Sequence, residues 1–145
     1  MATSKITIGR IDKADFTEFG LTNIDVKIDT GAYGCSLHCD FAHVIDVDGK
    51  PQLEFGLDLG KTHQTFSTKY YSTKMVKSST GVAEERFLVE TTIVLFGKEF
   101  KQKFSLSNRA DMKFPVLLGR TLLSRNFVVD TARTNLSFKA KIGQK

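Results

Sequence analysis

The chain has no tryptophan, only two cysteines and three histidines, and no apolar run that approaches the about 18 residues needed to cross a membrane as a helix. That last absence excludes a helical membrane span. The opening Met1-Ala2-Thr3-Ser4-Lys5-Ile6 lacks the long apolar core of a signal peptide. The expected compartment is therefore the cytoplasm, where thiols stay reduced, so Cys35 and Cys39 are not expected to form a structural disulfide. There is no His-Glu-x-x-His helix to carry zinc peptidase chemistry. Zinc-finger spacing, an arginine-rich helix and an aromatic RNA-binding motif are also missing, which speaks against nucleic acid as the partner.

What is present is an ordinary globular balance. At 145 residues the chain can form one domain over 1–145 and remove on the order of two thirds of its unfolded surface from water. Twelve phenylalanines predict a core of aromatic-rich strands. The net charge of +5 is concentrated in Lys98–Arg125 and in the tail from Lys139, and raises encounter rates with anionic partners without choosing among them.

Short segments rich in β-branched and aromatic residues recur between Gly, Asn and Asp turns. Lys5–Asp12 is the first; in Asn23–Ile28, Ile24, Val26 and Ile28 share one face at period two, which leaves Asp29 on the opposite parity. Phe41–Val47 runs into Asp48-Gly49, a hairpin signal, and Gln52–Asp58 returns. Thr65–Val76 and Ala83–Val94 flank the small, polar Lys77–Gly81, read as the tip of a long hairpin. Gly97-Lys98 predicts another turn before Glu99–Leu106. Thr121–Arg125 is the single expected helix, and Phe127–Asp130 and Leu136-Ser137-Phe138 close the chain. Many short strands and one short helix predict an all-β barrel, with no repeat or linker to suggest a second domain.

The chemistry-bearing stretch is Ile28-Asp29-Thr30-Gly31-Ala32, a strand that ends in a carboxylate and breaks at glycine. An aspartate there can simply cap a turn. It can also be the acid of an aspartic peptidase, and Val116-Leu117-Leu118-Gly119-Arg120, a hydrophobic run ending in glycine before a short amphipathic segment, is the expected companion of such a site.

Taken together these residues resemble the retropepsin-like aspartic peptidases, and more closely the bacterial family historically labelled ATP-dependent zinc protease. The blocks that carry the resemblance are Lys27–Ala32, Leu37-His38, Ser78-Ser79-Thr80-Gly81 with Arg86, Asn108-Arg109-Ala110-Asp111-Met112, Pro115 and Leu117–Arg120. The resemblance implies a closed acid-protease barrel in which Asp29, Thr30 and Gly31 form the catalytic loop. One Asp-Thr-Gly supplies one carboxylate and the chemistry needs two. The resemblance therefore implies a C2 homodimer, with Asp29 and its copy about 3 Å apart sharing one proton. Thr30 would bond across the axis, and Gly31 would let the substrate backbone approach. Ala32, Ser78, Ser79, Thr80, Gly81, Arg86, Arg109 and Arg120 become candidate substrate-binding residues, with the Thr65–Val94 hairpin as a flap. No cofactor is implied. Members of the family are often linked to ATP-grasp ligases that add glutamates to a ribosomal protein. This suggests trimming of acidic, poly-glutamate tails, with Lys77, Arg86, Arg109, Lys113 and Arg120 as carboxylate binders.

One departure stands out. Retropepsins usually carry a carboxylate after Asp-Thr-Gly-Ala that pairs with the late arginine, whereas this chain has Tyr33-Gly34. Arg120 must then pair with another acid, such as Asp40 or Asp130, or be available to a substrate carboxylate. For Arg86, Arg109 and Arg120 a salt bridge within the barrel is the plain alternative to substrate binding. Cys35, His38, Cys39 and His43 crowd one stretch, but alternate along a strand and are expected as core or surface residues ahead of a metal site. His63 is expected alone on the surface. A catalytically inactive peptide-binding module of the same fold is the second reading of the chain, and a zinc-dependent hydrolase the third.

Overall fold

The computed structural model describes residues 4–60, 63–77, 81–108 and 113–143. Eleven strands and two helices follow one another as β1 (Ile6–Ile8), β2 (Ile11–Phe16), β3 (Leu21–Ile28), β4 (Cys35–Val47), β5 (Lys50–Asp58), β6 (His63–Thr68), β7 (Tyr71–Lys77), β8 (Ala83–Leu95), β9 (Lys98–Ser107), β10 (Val116–Leu118), α1 (Arg120–Asn126), β11 (Phe127–Val129) and α2 (Leu136–Gly143). A single 3-10 turn, Thr17–Phe19, joins β2 to β3. The all-β expectation holds, but the single-helix expectation does not, since Leu136-Ser137-Phe138 opens α2.

Alternation sets the faces. In β3 the buried residues are Leu21, Ile24, Val26 and Ile28, and Asp29 leaves the strand half-buried on the opposite parity. Asp48 and Gly49 both adopt the left-handed conformation, with φ of 53° and 79°. That matches the twist of the flanking strands and joins β4 to β5 in a tight hairpin. Phe96 and Gly97 do the same between β8 and β9, one residue earlier than Gly97-Lys98. Two expected strands are interrupted. Gly9-Arg10 separates β1, which pairs with β11, from β2, which pairs with β3 and β8. The long hairpin expected from Thr65 is shorter, because β6 folds back on β5 and only β7 pairs with β8.

The main sheet runs β10-β3-β2-β8-β9-β4-β5-β6, and β10 also pairs with β4. A circuit of pairings through β10, β3, β2, β8, β9 and β4 thus returns to its start. Inside lie Phe16, Phe55 and Phe104, each at most 2% exposed, together with Ile24, Val26, Leu37, Ile93 and Leu118. Phe16 meets Phe104 edge-on at 5.8 Å, and Phe19 meets Phe66 at 4.8 Å. Each such ring removed from water stabilises the fold by about 1.5–3 kcal/mol.

The second helix depends on a distant residue. Asp12 of β2 is 1% exposed, and its carboxylate accepts the backbone N–H groups of Ser137 (2.8 Å), Phe138 (3.1 Å) and Lys13 (2.7 Å). It therefore caps the first turn of α2, complementing the unpaired donors and positive end of the helix.

Candidate active site

The site is built around β10, which lies between the two strands flanking the Asp29 loop. It runs parallel to β3, with Leu118 opposite Ile28, and antiparallel to β4, with Val116 opposite Leu37. The ladder continues one step beyond β3, where the Asp29 N–H donates to the Leu118 carbonyl at 2.9 Å. Within the loop, Ala32 N–H returns to the Asp29 carbonyl at 3.2 Å and Gly31 N–H donates to Asp29 Oδ1 at 3.0 Å. Asp29 therefore does cap its own turn, as its residue type favours. Among the described residues that bond is its one side-chain contact, and the other oxygen is left to solvent or a ligand.

The loop then docks on the start of α1. Arg120 N–H donates to the Ala32 carbonyl at 2.9 Å and Thr121 N–H to the Tyr33 carbonyl at 2.8 Å. Gly119 makes this approach close enough: a Cβ there would lie 2.2 Å from the Gly34 carbonyl oxygen and 2.8 Å from that of Ala32. Gly119 N–H also points at the Cys35 sulfur, 3.3 Å away. Thr30 and Gly31, at the outermost point of the loop, are exposed.

Arg120 resolves the question left by Tyr33-Gly34. Its Nη1 donates to the Thr30 carbonyl at 2.9 Å, and its guanidinium lies 5.9 Å from the Tyr33 ring centroid. The geometry suits a cation over an aromatic face. Neither suggested acid partners it: Asp130 pairs with Arg133, and Asp40 lies against His38 and His63. The arginine braces the Asp29 loop through a main-chain carbonyl in place of a carboxylate.

The other candidates are dispersed. Gly81, at φ of 85°, lies two residues before β8. Arg86 lies on β8 and pairs with Glu84 at 3.0 Å, beside a separate cavity lined by Cys39, Asp40 and Asn108. Ser78, Ser79, Thr80 and Arg109 lie outside the described residues. Among the sequence candidates, the structure brings together Asp29, Thr30, Gly31, Ala32 and Arg120.

Three lysines were not among those candidates. A cavity of about 310 Å³ adjoins the far end of the loop, lined by Tyr33, Gly34 and Cys35, by Leu88, Gln102 and Thr121, by Lys74, Lys101 and Lys103, and by one acid, Glu90. The Lys74 ammonium would lie 3.8 Å from a Cβ on Gly34. No local motif marks these residues, because β7 and β9 reach the loop only through the sheet.

The cysteines behave as core. Both are free and buried. Burial raises the Cys35 thiol, and burial followed by the neighbouring Asp40 charge pushes Cys39 up to about 11, so both stay protonated at neutral pH. His43 is drawn away to Glu54 at 3.0 Å, and among the described residues the four-residue Cys/His stretch forms no metal cluster. No helix among the described residues is long and apolar enough to cross a membrane.

A strand-rich chain whose Asp-Thr-Gly loop is seated on a hydrophobic-Gly-Arg strand has the retropepsin-like arrangement. Residues 7–140 match the family described as "Retropepsin-like aspartic endopeptidase RimB", and the chain belongs to that RimB-like family. A solved structure from Legionella pneumophila, the protein Lpg0085 described as of unknown function, superposes with a TM-score of 0.74 at 30% identity, covering 92% of this chain and 99% of that one. Two curated relatives, from Shewanella pealeana and Shewanella halifaxensis, are each 28% identical over 138 residues and named "Probable alpha-L-glutamate ligase". The match covers 92% of this chain but only 30% of each relative, so the chain spans under a third of their length.

Proposed function

We propose that the chain is an aspartic peptidase that works as a homodimer and hydrolyses peptide bonds in acidic, glutamate-rich segments. The observation that carries this reading is the Asp29 loop: a carboxylate fixed by one backbone donor, with exposed Thr30 and Gly31 beside it and β10 beneath. In a two-fold pair, Asp29 and the same residue of a second copy share one proton, and the titration belongs to the pair. The ionised member takes a proton from a water held between them as the water oxygen attacks the scissile carbonyl carbon. The protonated member donates to the carbonyl oxygen. Collapse of the tetrahedral intermediate breaks the C–N bond and returns a proton to the leaving amine.

An acidic substrate is supported by Lys74, Lys101 and Lys103 around the cavity beside the loop, three cations against the single acid Glu90. The names of the larger relatives support a link to glutamate addition, and with it an ATP-grasp ligase as functional partner. The β7–β8 hairpin, with Gly81 and Arg86, is assigned as the flap, and Ser78, Ser79, Thr80 and Arg109 remain proposed substrate contacts.

The test mixes wild type with Asp29→Asn and follows cleavage of a glutamate-rich peptide by mass spectrometry. With one carboxylate from each chain, pure Asp29→Asn is inactive and activity falls as the square of the wild-type fraction. Cleavage undiminished in the pure variant would overturn the assignment of Asp29. A fall linear in wild-type fraction would overturn the shared dyad, and binding without cleavage by wild type would leave the inactive peptide-binding reading.

A further inference from the structure

Away from the Asp29 loop, four side chains from three neighbouring strands converge in a way the peptidase reading does not use. His38 and Asp40 lie on β4, Asp58 ends β5, and His63 begins β6 opposite Asp58. The β4–β5 register slips between Cys39 and Phe41, so Asp40 is the extra residue of a bulge, a device that re-aims a side chain. His38 Nε2 is 3.5 Å from Asp40 Oδ1, His63 Nδ1 is 3.0 Å from Asp40 Oδ2, and His63 Nε2 is 3.2 Å from Asp58 Oδ2. His38, Asp40 and Asp58 each offer a donor atom within 4.8 Å of the others.

We propose that His38, Asp40 and Asp58, with His63 beside them, form a binding site for a divalent transition cation of the zinc class. The His38 imidazole and the Asp40 and Asp58 carboxylates supply three nitrogen–oxygen donors, and a turned His63 ring supplies the fourth position of a four-coordinate set. Magnesium and calcium favour oxygen ligands. Metal–ligand bonds of about 2.0–2.2 Å in a tetrahedron place donor atoms roughly 3.4 Å apart. One donor atom each from His38, Asp40 and Asp58 lies within 4.8 Å of the others, so side-chain rotation can close the three on an ion, and His63, whose two nitrogens face different carboxylates, must turn to offer one of them.

The surroundings are organised as those of a metal site are. The His38 side chain is 8% exposed and fixed in the sheet, which makes it the rigid anchor. Asp58 Oδ1 accepts the Gly60 N–H at 3.1 Å, which orients the carboxylate and turns Oδ2 toward the cluster. His63, 72% exposed, stands with one ring nitrogen toward each carboxylate, so its ring must swing outward to admit a cation and present one nitrogen to it. On binding, one of its nitrogens becomes a ligand, and any proton on that nitrogen passes to solvent. The ion would clip the end of β5 and the start of β6 to the bulge of β4. This inference is independent of peptidase activity.

The experiment uses the full chain, stripped with chelator and titrated with zinc by calorimetry, with magnesium in parallel. One zinc per chain is expected, undisturbed by magnesium. Asp58→Asn and His63→Ala should each weaken binding at least tenfold, while His43→Ala, which removes the histidine paired with Glu54, should leave it unchanged. Cobalt should give the visible absorption of a four-coordinate nitrogen–oxygen site in wild type and lose it in the first two variants. The proposal is overturned if folded wild type takes up no saturable zinc, or if Asp58→Asn and His63→Ala bind it as wild type does.

Discussion

Asp12 and Asp29 both stand in or beside strands of the same sheet, and they differ in how completely their carboxylates are satisfied. Asp12 is buried and accepts three backbone N–H groups, two of them from the first turn of α2. Asp29 is half-buried and accepts one, from Gly31, next to an exposed loop. A carboxylate whose lone pairs are filled by rigid donors is committed to holding the fold. One fixed by a single donor is oriented but still has an oxygen for chemistry. Residue type and strand context alone do not separate these roles.

The two aspartates should therefore respond in opposite ways to substitution. Asp29→Asn should lower peptide hydrolysis by about 10²–10⁴-fold, the usual range for a lost general acid–base group. Its midpoint of urea unfolding should stay near that of wild type, and a large loss of stability would place Asp29 with Asp12. Gly119→Ala tests whether the site depends on close backbone approach. With carbonyl oxygens of Gly34 and Ala32 inside contact distance of the new methyl, it should cost about 3 kcal/mol and displace the loop, reducing activity as well. Asp12→Ala should lose about 2 kcal/mol in the same unfolding assay, because buried N–H groups are left unpaired, with per-chain activity retained. Arg120→Met should be milder. It removes one exposed bond to the Thr30 carbonyl, about 1 kcal/mol, and its effect should show as a lower kcat with KM little changed if the arginine braces the loop.

The smallest effect concerns Glu18. Burial raises its pKa, but hydrogen bonds from Thr91 and Thr92 and the charge of Lys101 outweigh that, and the net shift is downward from 4.5. A carboxyl depressed by folding contributes stability above its unfolded pKa and loses it as pH falls through the lower, folded value. Glu18→Gln should accordingly flatten the acid limb of a stability–pH curve below about pH 4.5 and leave hydrolysis near neutral pH untouched. An unchanged acid limb would show that the Glu18 contacts to β8 do not persist in solution.

Local pattern carried much of the fold. The period-two face of Ile24, Val26 and Ile28, the Asp48-Gly49 hairpin and the short helix after Gly119 were legible, because each depends on neighbours within a few residues. Helix α2 is not evident from the local pattern, although Asn135 precedes it and Gly143 ends it. Its cap, Asp12, lies at the other end of the chain, and Asn135 itself has φ of 58° rather than the extended geometry of an N-cap. His63 is solitary in the sequence because its carboxylate partners come from β4 and β5. Lys74, Lys101 and Lys103 carry no local signal for the same reason, being gathered from β7 and β9.

By itself the sequence determined the class of fold and the position of the candidate carboxylate, Asp29, since alternation, turn residues and an Asp-Thr-Gly break are written in consecutive residues. Only the tertiary structure decided what surrounds that carboxylate. Arg120 braces Thr30 in the absence of a carboxylate partner, Asp12 is committed to α2, and Asp40 and Asp58 face two histidines. Those roles depend on strand pairings such as β10 with β3 and β4, which bring together residues far apart in the chain. A side chain's partners are fixed by that register and by packing, and neither is encoded within a short stretch of sequence.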